Sequence, residues 1–452
     1  METSYQRHPG QKDGKMAVVT PLFSVLTEML LKTILNFVTN YKSFRFGRVS
    51  FMKKGKPDQH IVAVIHPRKN SKAVCSECGK PCPTYDTTRE ARRFEFPPLW
   101  NIPVFFLYTM RRVTCPEHNV IVEGVPWGDG KCTQTIEHRQ FLANWAKRLS
   151  WTEVAECFNT TYGKVFRAVK WIVDWGLEHR SLDGVESLGV DEIQIRKGHH
   201  YATLIYQLDK GFKRLLGIEE GRKEESLKRF FDKFNKETKG EDQRSKKVKF
   251  VCSDMWKAYL NVIGKYCTNA LNILDRFHVK GHLTDAVNET RKADVAKLKK
   301  DGREPILKKS KYIFLKNPEN LTDDQATKLS ELVGYNLRVI RAYLMKEDFE
   351  RFWEYKSAYW AGRFLDDWCV RAMRSKIEPM KKFVKMLRKH RELLLNWFKS
   401  KGLSSGAVEG FNNKVKLTTR KAYGLRTFDA LKIVLFQALG KLPEPKFTHR
   451  FW

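Results

Sequence analysis

Hydrophobic and polar residues follow three successive patterns along this chain. Across residues 58–130 they alternate every second position, as in HIVAVIHP, and turn residues such as those in CGKPCP separate the runs, which predicts β-strands. Across residues 133–180, Trp, Leu and Val recur every three or four positions, which predicts helices. From residue 187 both patterns alternate, and across about 278–400 only the helical pattern remains.

The alternating stretch from residue 187 predicts a mixed β-sheet. Three strand-like runs separated by short turns come first (SLGVDEIQIR, HYATLIYQLDK and FKRLLGIEEG), which indicates an antiparallel meander. The segments that follow are a helix (KEESLKRFFDKFNKE), a strand (VKFVCSD), a second helix (WKAYLNVIGKY) and a last strand (NALNILDRF). This βαβ alternation predicts parallel strands.

These patterns divide the chain into six segments. We expect an N-terminal amphipathic helix and arm (1–57), a cysteine-bearing β region (58–130), a helix-turn-helix (131–185), the first part of an α/β core (186–280), a helical insertion (281–400), and the final core helices with a tail (401–452). The N-terminal run AVVTPLFSVLTEMLLKTILNFV contains Pro21, Glu28 and Lys32, so we interpret it as a helix that packs or self-associates. We expect neither a transmembrane helix nor a signal peptide there.

The charge of the chain indicates the class of partner that it binds. The formal net charge is +33, from 84 basic and 51 acidic residues. Such an excess favours a polyanionic partner, and nucleic acid is the leading candidate. A membrane surface is disfavoured because the basic residues are spread along the whole chain. The nine unevenly spaced cysteines do not indicate a disulfide framework, and they favour a reducing compartment such as the bacterial cytoplasm.

Two aspartates occupy positions in this sheet that need an explanation. Asp191 lies in the first strand beside apolar residues, and Asp254 lies just past the end of the fourth. A buried carboxylate is costly unless a cation or a donor satisfies it, so a salt bridge or a turn cap is one interpretation. If the first and fourth strands are neighbours, both acids converge on one site. Glu409, in SSGAVEGFNNKVK, would then complete an oxygen cage for two magnesium or manganese ions, which can drive in-line phosphoryl displacement.

The segments GVDEIQIRKGHHYATLIYQLD, EEGRKEESLKRFF, SDMWKAYLNV, LDRFHV and SSGAVEGFNNKVKLTTRKAYGLRTF resemble successive motifs of bacterial insertion-sequence transposases of the ISL-three family. The resemblance runs from about residue 20 to 440. It implies a DDE transposase with Asp191, Asp254 and Glu409 as the catalytic triad. The fold class that it implies is a multidomain α/β protein. Its ribonuclease-H-like mixed sheet would carry a long all-helical insertion and follow a small zinc-binding β region and a helix-turn-helix.

Several residues near these motifs are further candidates. Asp275-Arg276-Phe277-His278 resembles an aspartate-x-x-histidine motif of such transposases, which implies a role for Asp275 and for His278 at the scissile phosphate. His278 and His282 could instead share a solvated helix face, and we favour that for His282. Arg222 is a candidate phosphate clamp or a surface charge. The insertion's tryptophans are candidates for base stacking, although core packing is favoured (Trp353, Trp360 and Trp368).

Two pairs of residues predict a zinc site in the β region. Cys75 and Cys78 form one knuckle, and Cys115 and His118 form the other. The interval between them exceeds the usual spacing and reads as hairpins. Cys82 is a rival ligand, and buried free thiols are the alternative. The resemblance supports zinc, because the family carries a zinc-binding region here, although its second knuckle is commonly two cysteines.

The segment LSWTEVAECFNTTYGKVFRAVKWIVDWG predicts a helix-turn-helix. The turn would pass through Asn159 and Thr160, and the second helix would lie in the major groove with Lys164, Arg167 and Lys170 along it. These basic residues would contact phosphates mainly, so they do not indicate a base preference.

We therefore expect a DNA transposase that binds double-stranded DNA, both its element's terminal inverted repeats and the target, and acts as a dimer or larger assembly. In the Glu409 segment, Ala407 and Gly410 would let the helix approach the sheet. The residues expected to face DNA there are Asn412, Asn413, Lys414 and Lys416. The alternatives are a catalytically silent DNA-binding protein, such as a repressor or a domesticated derivative, and an RNA-processing ribonuclease of the same fold.

Overall fold

The structure, a computed structural model, describes residues 20–39, 41–196, 198, 200–236, 238, 240–302, 304–335, 337–400, 406–422, 425 and 427–445. The chain divides into two compact units. The first unit comprises Met1–Arg180 with Leu442–Trp452, and the second comprises Ser181–Lys441.

The first unit combines small β-sheets with helices at both ends of its sequence. Its helices are α1 (Thr20–Thr39), α2 (Ile136–Ala146), α3 (Trp151–Cys157) and α4 (Tyr162–His179). Its strands are β1 (Phe44–Met52), β2 (His60–Pro67), β3 (Ala73–Val74), β4 (Pro81–Cys82), β5 (Thr84–Thr87), β6 (Arg92–Leu99), β7 (Ile102–Tyr108), β8 (Arg111–Cys115) and β9 (Asn119–Val122). The strands form sheets in the orders β1-β2-β7-β6, β5-β8-β9 and β3-β4.

Aromatic residues hold the larger sheet of this unit together. Trp127 is fully buried, and its ring meets Phe44 and Tyr108 edge-on at centroid distances of 4.8 and 5.3 Å. Such edge-to-face pairs add to the free energy gained by burying the rings. Leu31 and Leu35 of α1 join this core, so the N-terminal helix packs on the sheet. None of the helices in the described part of the chain is long and apolar enough to cross a membrane.

The second unit is built on a five-stranded sheet. Its strands are β10 (Ser187–Arg196), β11 (His200–Gln207), β12 (Arg214–Glu220), β13 (Phe250–Ser253) and β14 (Leu271–Leu274). They lie in the order β12-β11-β10-β13-β14. The pairs β10–β11 and β11–β12 are antiparallel, whereas β10–β13 and β13–β14 are parallel. The predicted meander, the predicted parallel strands and the predicted neighbourhood of the first and fourth strands are therefore confirmed.

Helices pack against this sheet, and a further series of helices follows β14 in the chain. Two of them connect strands, α5 (Glu224–Phe234) and α6 (Lys257–Tyr266), and bury Phe230, Phe231 and Tyr259 in the core beside the sheet. The others are α7 (Arg276–Lys300), α8 (Lys311–Leu315), α9 (Asp323–Val333), α10 (Arg338–Glu350), α11 (Ala358–Arg374), α12 (Glu378–Lys389), α13 (Arg391–Lys399), α14 (Gly406–Lys421) and α15 (Phe428–Leu439).

The helical stretch between β14 and α14 has its own aromatic core. Trp353 and Trp368 are buried in it, and the Trp368 ring meets Phe349 at 4.9 Å. The core interpretation of these two tryptophans is therefore confirmed. Trp360 differs, because 55% of its surface is exposed.

Candidate active site and candidate metal centre

The pairing of β10 with β13 places Asp191 and Asp254 at corresponding positions of adjacent strands. The parallel pairing of β10 with β13 runs from Ser187 opposite Phe250 to Gly189 opposite Cys252. Both aspartates come two residues after this last pair, one on each strand, so they lie at corresponding positions where the β10–β13 pairing ends. Asp191 is buried and Asp254 is half-buried. The carboxyl ends of parallel strands meet at one edge, which is where ligand sites form in open α/β sheets.

The third parallel strand adds Asp275 and His278 to this edge. Asp275 directly follows β14 and caps α7, because its carboxylate accepts a hydrogen bond of 2.8 Å from the Phe277 backbone N–H. One turn later, the His278 Nε2 atom lies 3.6 Å from Asp191 Oδ1 and 4.0 Å from Asp275 Oδ2. The hydrogen bond to Asp191 raises the pKa of His278 to about 9, and the negative charges of the aspartates act in the same direction. The surrounding carboxylates therefore favour the protonated form of the imidazole.

Helix α14 supplies Asn412 to the buried aspartate. The Asn412 Nδ2 group donates a hydrogen bond to Asp191 Oδ2, and the Tyr206 hydroxyl donates one of 3.0 Å to Asn412 Oδ1. Tyr206 is fully buried in β11, and burial followed by the charge of Asp191 raises its pKa well above the usual range. Tyr206 therefore stays neutral and fixes the orientation of the amide. The prediction that Asn412 contacts DNA remains a prediction.

A glycine of the sheet, rather than one of the helix, allows α14 to approach. A Cβ atom at Gly189 would lie 2.9 Å from the Val408 side chain, so only glycine fits there without a shift. A Cβ atom at Gly410 would meet open space. The expectation that Gly410 permits the close approach is therefore wrong, because Gly410 faces away from the sheet. The side chain of Ala407 lies outside the described residues.

Glu409 lies in the first turn of α14, where its side chain is exposed. It borders a cleft of about 760 Å³ together with residues from the sheet edge, from α7 and from its own helix (Asp191, Glu192, Asp275, His278, Asn412, Asn413 and Lys416). Outside the zinc-like group described below, no three His, Cys, Asp or Glu residues in the described part of the chain bring ligand atoms within 4.8 Å of one another. The acids thus border an open cleft without forming a closed set of ligands.

The structure adds Glu192, which we did not single out from the sequence. Burial raises the pKa of Glu192, and the charges of Asp254 and Asp191 raise it further against the opposing charge of Arg222. The Arg222 Nη1 atom lies 3.5 Å from Glu192 Oε1, and the guanidinium packs 4.2 Å from the centre of the Tyr201 ring. The only sequence feature that could have identified Glu192 is that it directly follows Asp191. The role of Arg222 as a phosphate clamp remains a prediction.

Four residues of the first unit form a group with the geometry of a zinc site. The ligand atoms of Cys75, Cys78, Cys115 and His118 all lie within 4.8 Å of one another. The Cys78 and Cys115 Sγ atoms are 3.7 Å apart, and His118 Nδ1 lies 3.5 Å from Cys115 Sγ. Zinc–sulfur bonds of about 2.3 Å in a tetrahedron place sulfur atoms about 3.8 Å apart, which matches this spacing.

The elements around the four ligands form the two predicted knuckles. Gly79, at a φ of +66°, donates its backbone N–H to the Cys75 carbonyl at 3.0 Å and turns the chain, while Cys115 ends β8. The hydrogen bond with His118 lowers the pKa of the Cys115 thiol to about 6, which favours the thiolate form that binds metals. Cys82 lies outside the group, and all nine cysteines are free thiols.

Helices α3 and α4 have the caps expected of a helix-turn-helix. Ser150 and Glu153 form a capping box at the start of α3, and Thr161 caps α4. Asn159 turns the chain between them at a φ of +46°. Of the predicted phosphate contacts, the Lys164 ammonium bonds Glu95, the Lys170 ammonium lies 3.1 Å from Asp174, and Arg167 is exposed. All three DNA contacts remain predictions.

Comparison with known proteins identifies the family of this chain. A family model of DDE transposases of the ISL3 (ISL-three) type, described as "Transposase", matches residues 188–435. The transposase for insertion sequence element IS1557 of Mycobacterium tuberculosis is 28% identical over 396 residues, which cover 82% of this chain and 86% of that protein. The transposase for insertion sequence element IS1001 of Bordetella parapertussis is 27% identical over 357 residues, covering 78% and 85% respectively. The family match spans more than half of the chain, and this chain belongs to the ISL3 family of DDE transposases.

Proposed function

We propose that this protein is the transposase of an insertion sequence. It binds the terminal inverted repeats of its element and catalyses metal-dependent DNA cleavage followed by strand transfer. The observation that supports this most directly is the position of Asp191 and Asp254 on neighbouring parallel strands, with Asp191 and Glu409 bordering one cleft. Family membership and the excess of positive charge point to the same substrate.

The proposed fold of the second unit is ribonuclease-H-like. Three antiparallel strands followed by two parallel strands, in the order β12-β11-β10-β13-β14, support this assignment. The chain then leaves the sheet after β14 and returns to it through α14, which contacts β10 through Val408 and Asn412. The helices between these points constitute the proposed insertion domain.

We assign magnesium or manganese binding to Asp191, Asp254 and Glu409. The donor set fits such ions, because carboxylate oxygens are the ligands that they prefer. When bound, two such ions lower the pKa of a water or a DNA 3′ hydroxyl and stabilise the leaving oxygen of an in-line displacement.

The protein's own residues have separate roles in this proposal. The His278 imidazole donates a hydrogen bond to a nonbridging oxygen of the scissile phosphate, in keeping with its place on the cleft. Asn412 orients the Asp191 carboxylate, and Asp275 holds the start of α7 so that His278 faces the cleft. The same arrangement serves cleavage and strand transfer, since the two reactions differ only in the nucleophile.

The first unit is proposed to recognise the DNA ends. Zinc held by Cys75, Cys78, Cys115 and His118 would fix two knuckles, and α4 would enter the major groove. Synapsis of two ends requires a dimer or a larger assembly, and inverted repeats bound by identical subunits satisfy that requirement.

The test is cleavage of a duplex that carries the element's own end, which the DNA flanking the gene identifies. With magnesium, we expect wild-type protein to cut at the end and Glu409→Gln to bind the duplex but cut at least a hundredfold more slowly. Glu319→Gln, another exposed carboxylate in the second unit, is the matched control and should cut normally. If wild-type protein cuts no better than Glu409→Gln, the protein is a DNA-binding protein without this activity.

A further inference from the structure

The hairpin between β6 and β7 presents an exposed tryptophan at its tip. Leu99 pairs with Ile102, so Trp100 and Asn101 alone form the turn. Both have positive φ angles, +48° and +64°, as in the tight two-residue turns that join antiparallel strands. The Trp100 side chain is 78% exposed.

Neither turn geometry nor packing accounts for tryptophan at this position. The first residue of such a turn is usually Asn, Asp or Gly, because a bulky side chain at positive φ is strained. Because the Trp100 indole is exposed to solvent, burial of the ring does not offset this strain. Strained residues of this kind concentrate at functional sites, and an exposed aromatic ring is suited to contact something outside the unit.

The hairpin tip lies beside the start of the proposed recognition helix. A groove of about 550 Å³ is bordered by Pro98 and Asn101 from the hairpin, by Lys53 from the β1–β2 loop, and by Asn159 and Lys164 from the helix-turn-helix. The hairpin and the start of α4 are therefore two borders of the same groove within the first unit.

The loop beside the hairpin is strongly basic. It reads KKGK, and Lys53, Lys54 and Lys56 are all exposed. Lys53 pairs with Asp58, and the other acid of the groove, Glu95, is bonded to Lys164. A phosphate backbone following this border would meet an aromatic ring flanked by ammonium groups. A two-residue turn is also too narrow to bury the area that a stable protein partner needs.

We propose that the tip of the β6–β7 hairpin is a second DNA contact. In this contact the Trp100 indole stacks on a base of the terminal repeat, next to the DNA major groove that α4 is proposed to enter. This inference rests on the proposed function of the first unit in end binding. A side chain at a narrow tip can enter between base steps and partly unstack them, and the exposed lysines of the neighbouring loop would contact the DNA backbone.

The experiment compares wild-type protein with Trp100→Gly and Trp100→Phe on an end duplex that carries 2-aminopurine at successive positions of the repeat. Glycine adopts the positive φ without strain, so Trp100→Gly should melt no lower than wild type. We expect it to bind the repeat roughly 5- to 150-fold more weakly, the range that loss of one stacked base produces. Wild type and Trp100→Phe should raise 2-aminopurine fluorescence at one position, and Trp100→Gly should not.

Two results would overturn the inference alone, provided that wild-type protein selects the repeat over a scrambled duplex. One is a Trp100→Gly variant with unchanged affinity and an unchanged fluorescence rise. The other is a change of oligomeric state in sedimentation with unaltered DNA affinity, which would assign Trp100 to contact between copies. A wild-type protein that fails to select the repeat would remove the proposed function, and the inference with it.

Discussion

The Asn412 side-chain amide donates a hydrogen bond to the buried carboxylate of Asp191, and this contact joins α14 to the central strand of the second unit. Tyr206 fixes the amide from the other side through a hydrogen bond of 3.0 Å. The Asp191 carboxylate has little freedom to rotate, because both of its oxygens accept hydrogen bonds. One accepts from the Asn412 amide, and the other accepts from the Glu192 backbone N–H at 2.7 Å. A preorganised carboxylate binds a metal without the entropic cost of ordering it.

Asn412→Ala should therefore impair cleavage more than end binding. We expect a roughly tenfold to hundredfold fall in the cleavage rate, the usual effect of removing a group that orients a metal ligand. Tyr206→Phe should give a smaller fall, and the double variant should show less than the product of both effects because the residues act in series. Asn320→Ala, an exposed asparagine of the same unit, serves as the control. If the double variant lost the product of both effects, or if only binding affinity fell, Tyr206 would not act on Asp191 through Asn412.

Zinc content tests the ligand set directly. Purified protein should contain about one zinc per chain by elemental analysis, and Cys115→Ser should lose it together with end binding. Cys82→Ser should retain both, because Cys82 lies outside the ligand group. His118→Cys should also retain zinc, since thiolate is an acceptable fourth ligand. Zinc that persists in Cys115→Ser but disappears in Cys82→Ser would show that the ligand set is wrong.

The buried His138 predicts a loss of stability in mild acid. Burial, followed by the charge of Lys164, lowers the pKa of His138 to about 3. Glu95 lies 3.8 Å from its Nδ1 atom, but that carboxylate is bonded to Lys164. Because the ordinary pKa of histidine is about 6.5, the unfolded chain binds the proton more readily between these values. Stability is therefore complete above about pH 6.5 and declines as the pH falls toward 3.

His138→Gln should remove this component of the pH dependence. In urea unfolding at pH 7.5 and pH 5.0, we expect wild-type protein to lose about 2 kcal/mol more than the variant, the value that a shift from 6.5 to about 3 gives at pH 5. Comparison with the variant cancels the contribution of the zinc ligands, which also bind protons in acid. Equal losses in the two proteins would mean that His138 is not buried in its neutral form.

The exposed Arg167 offers a test of the recognition helix. Arg167→Ala should weaken binding about equally to end and scrambled duplexes, and it should reduce the dependence of affinity on salt by about one ion. Lys164→Ala is a useful contrast, because the Lys164 ammonium bonds Glu95 and its removal leaves that carboxylate without this partner. Its loss should therefore lower the melting temperature, whereas loss of Arg167 should not. An unchanged salt dependence in Arg167→Ala would place the helix away from DNA.

The sequence predicted the sheet and its acids well because both depend on local signals. Strand-like runs separated by short turns marked β10, β11 and β12. Asp191 lies within a strand and Asp254 just past the end of another, so their neighbourhood depended on the pairing of β10 with β13. The choice between His118 and Cys82 as the fourth member of the zinc-like group could not be made from the sequence, because both residues lie at plausible spacings. Only the tertiary structure shows that His118 joins the group. The same holds for Gly189, whose close approach to Val408 depends on how α14 packs rather than on any local motif.

Pairing between distant residues was beyond sequence reasoning. Asn412 and Asp191 are separated by more than half of the second unit's sequence, and nothing in FNNKVK indicates which asparagine bonds the sheet. Likewise, Lys164 and Arg167 look alike in sequence, but only the structure shows that the Lys164 ammonium is bonded to Glu95. The exposure of Trp100 depends on the register of β6 with β7, which the turn residues Trp-Asn did not reveal.

The central claim is that Asp191, Asp254 and Glu409 bind the divalent ions that drive cleavage, and exchanging one proposed ligand for sulfur tests it most directly. Asp254→Cys places a soft thiolate where an oxygen ligand is proposed, and thiolate accepts manganese more readily than magnesium. On the end duplex, we predict cleavage by Asp254→Cys in manganese and at least a hundredfold less in magnesium, while wild-type protein cuts in both. Cleavage by Asp254→Cys in magnesium at the wild-type rate would contradict the account, because Asp254 would then not be a metal ligand.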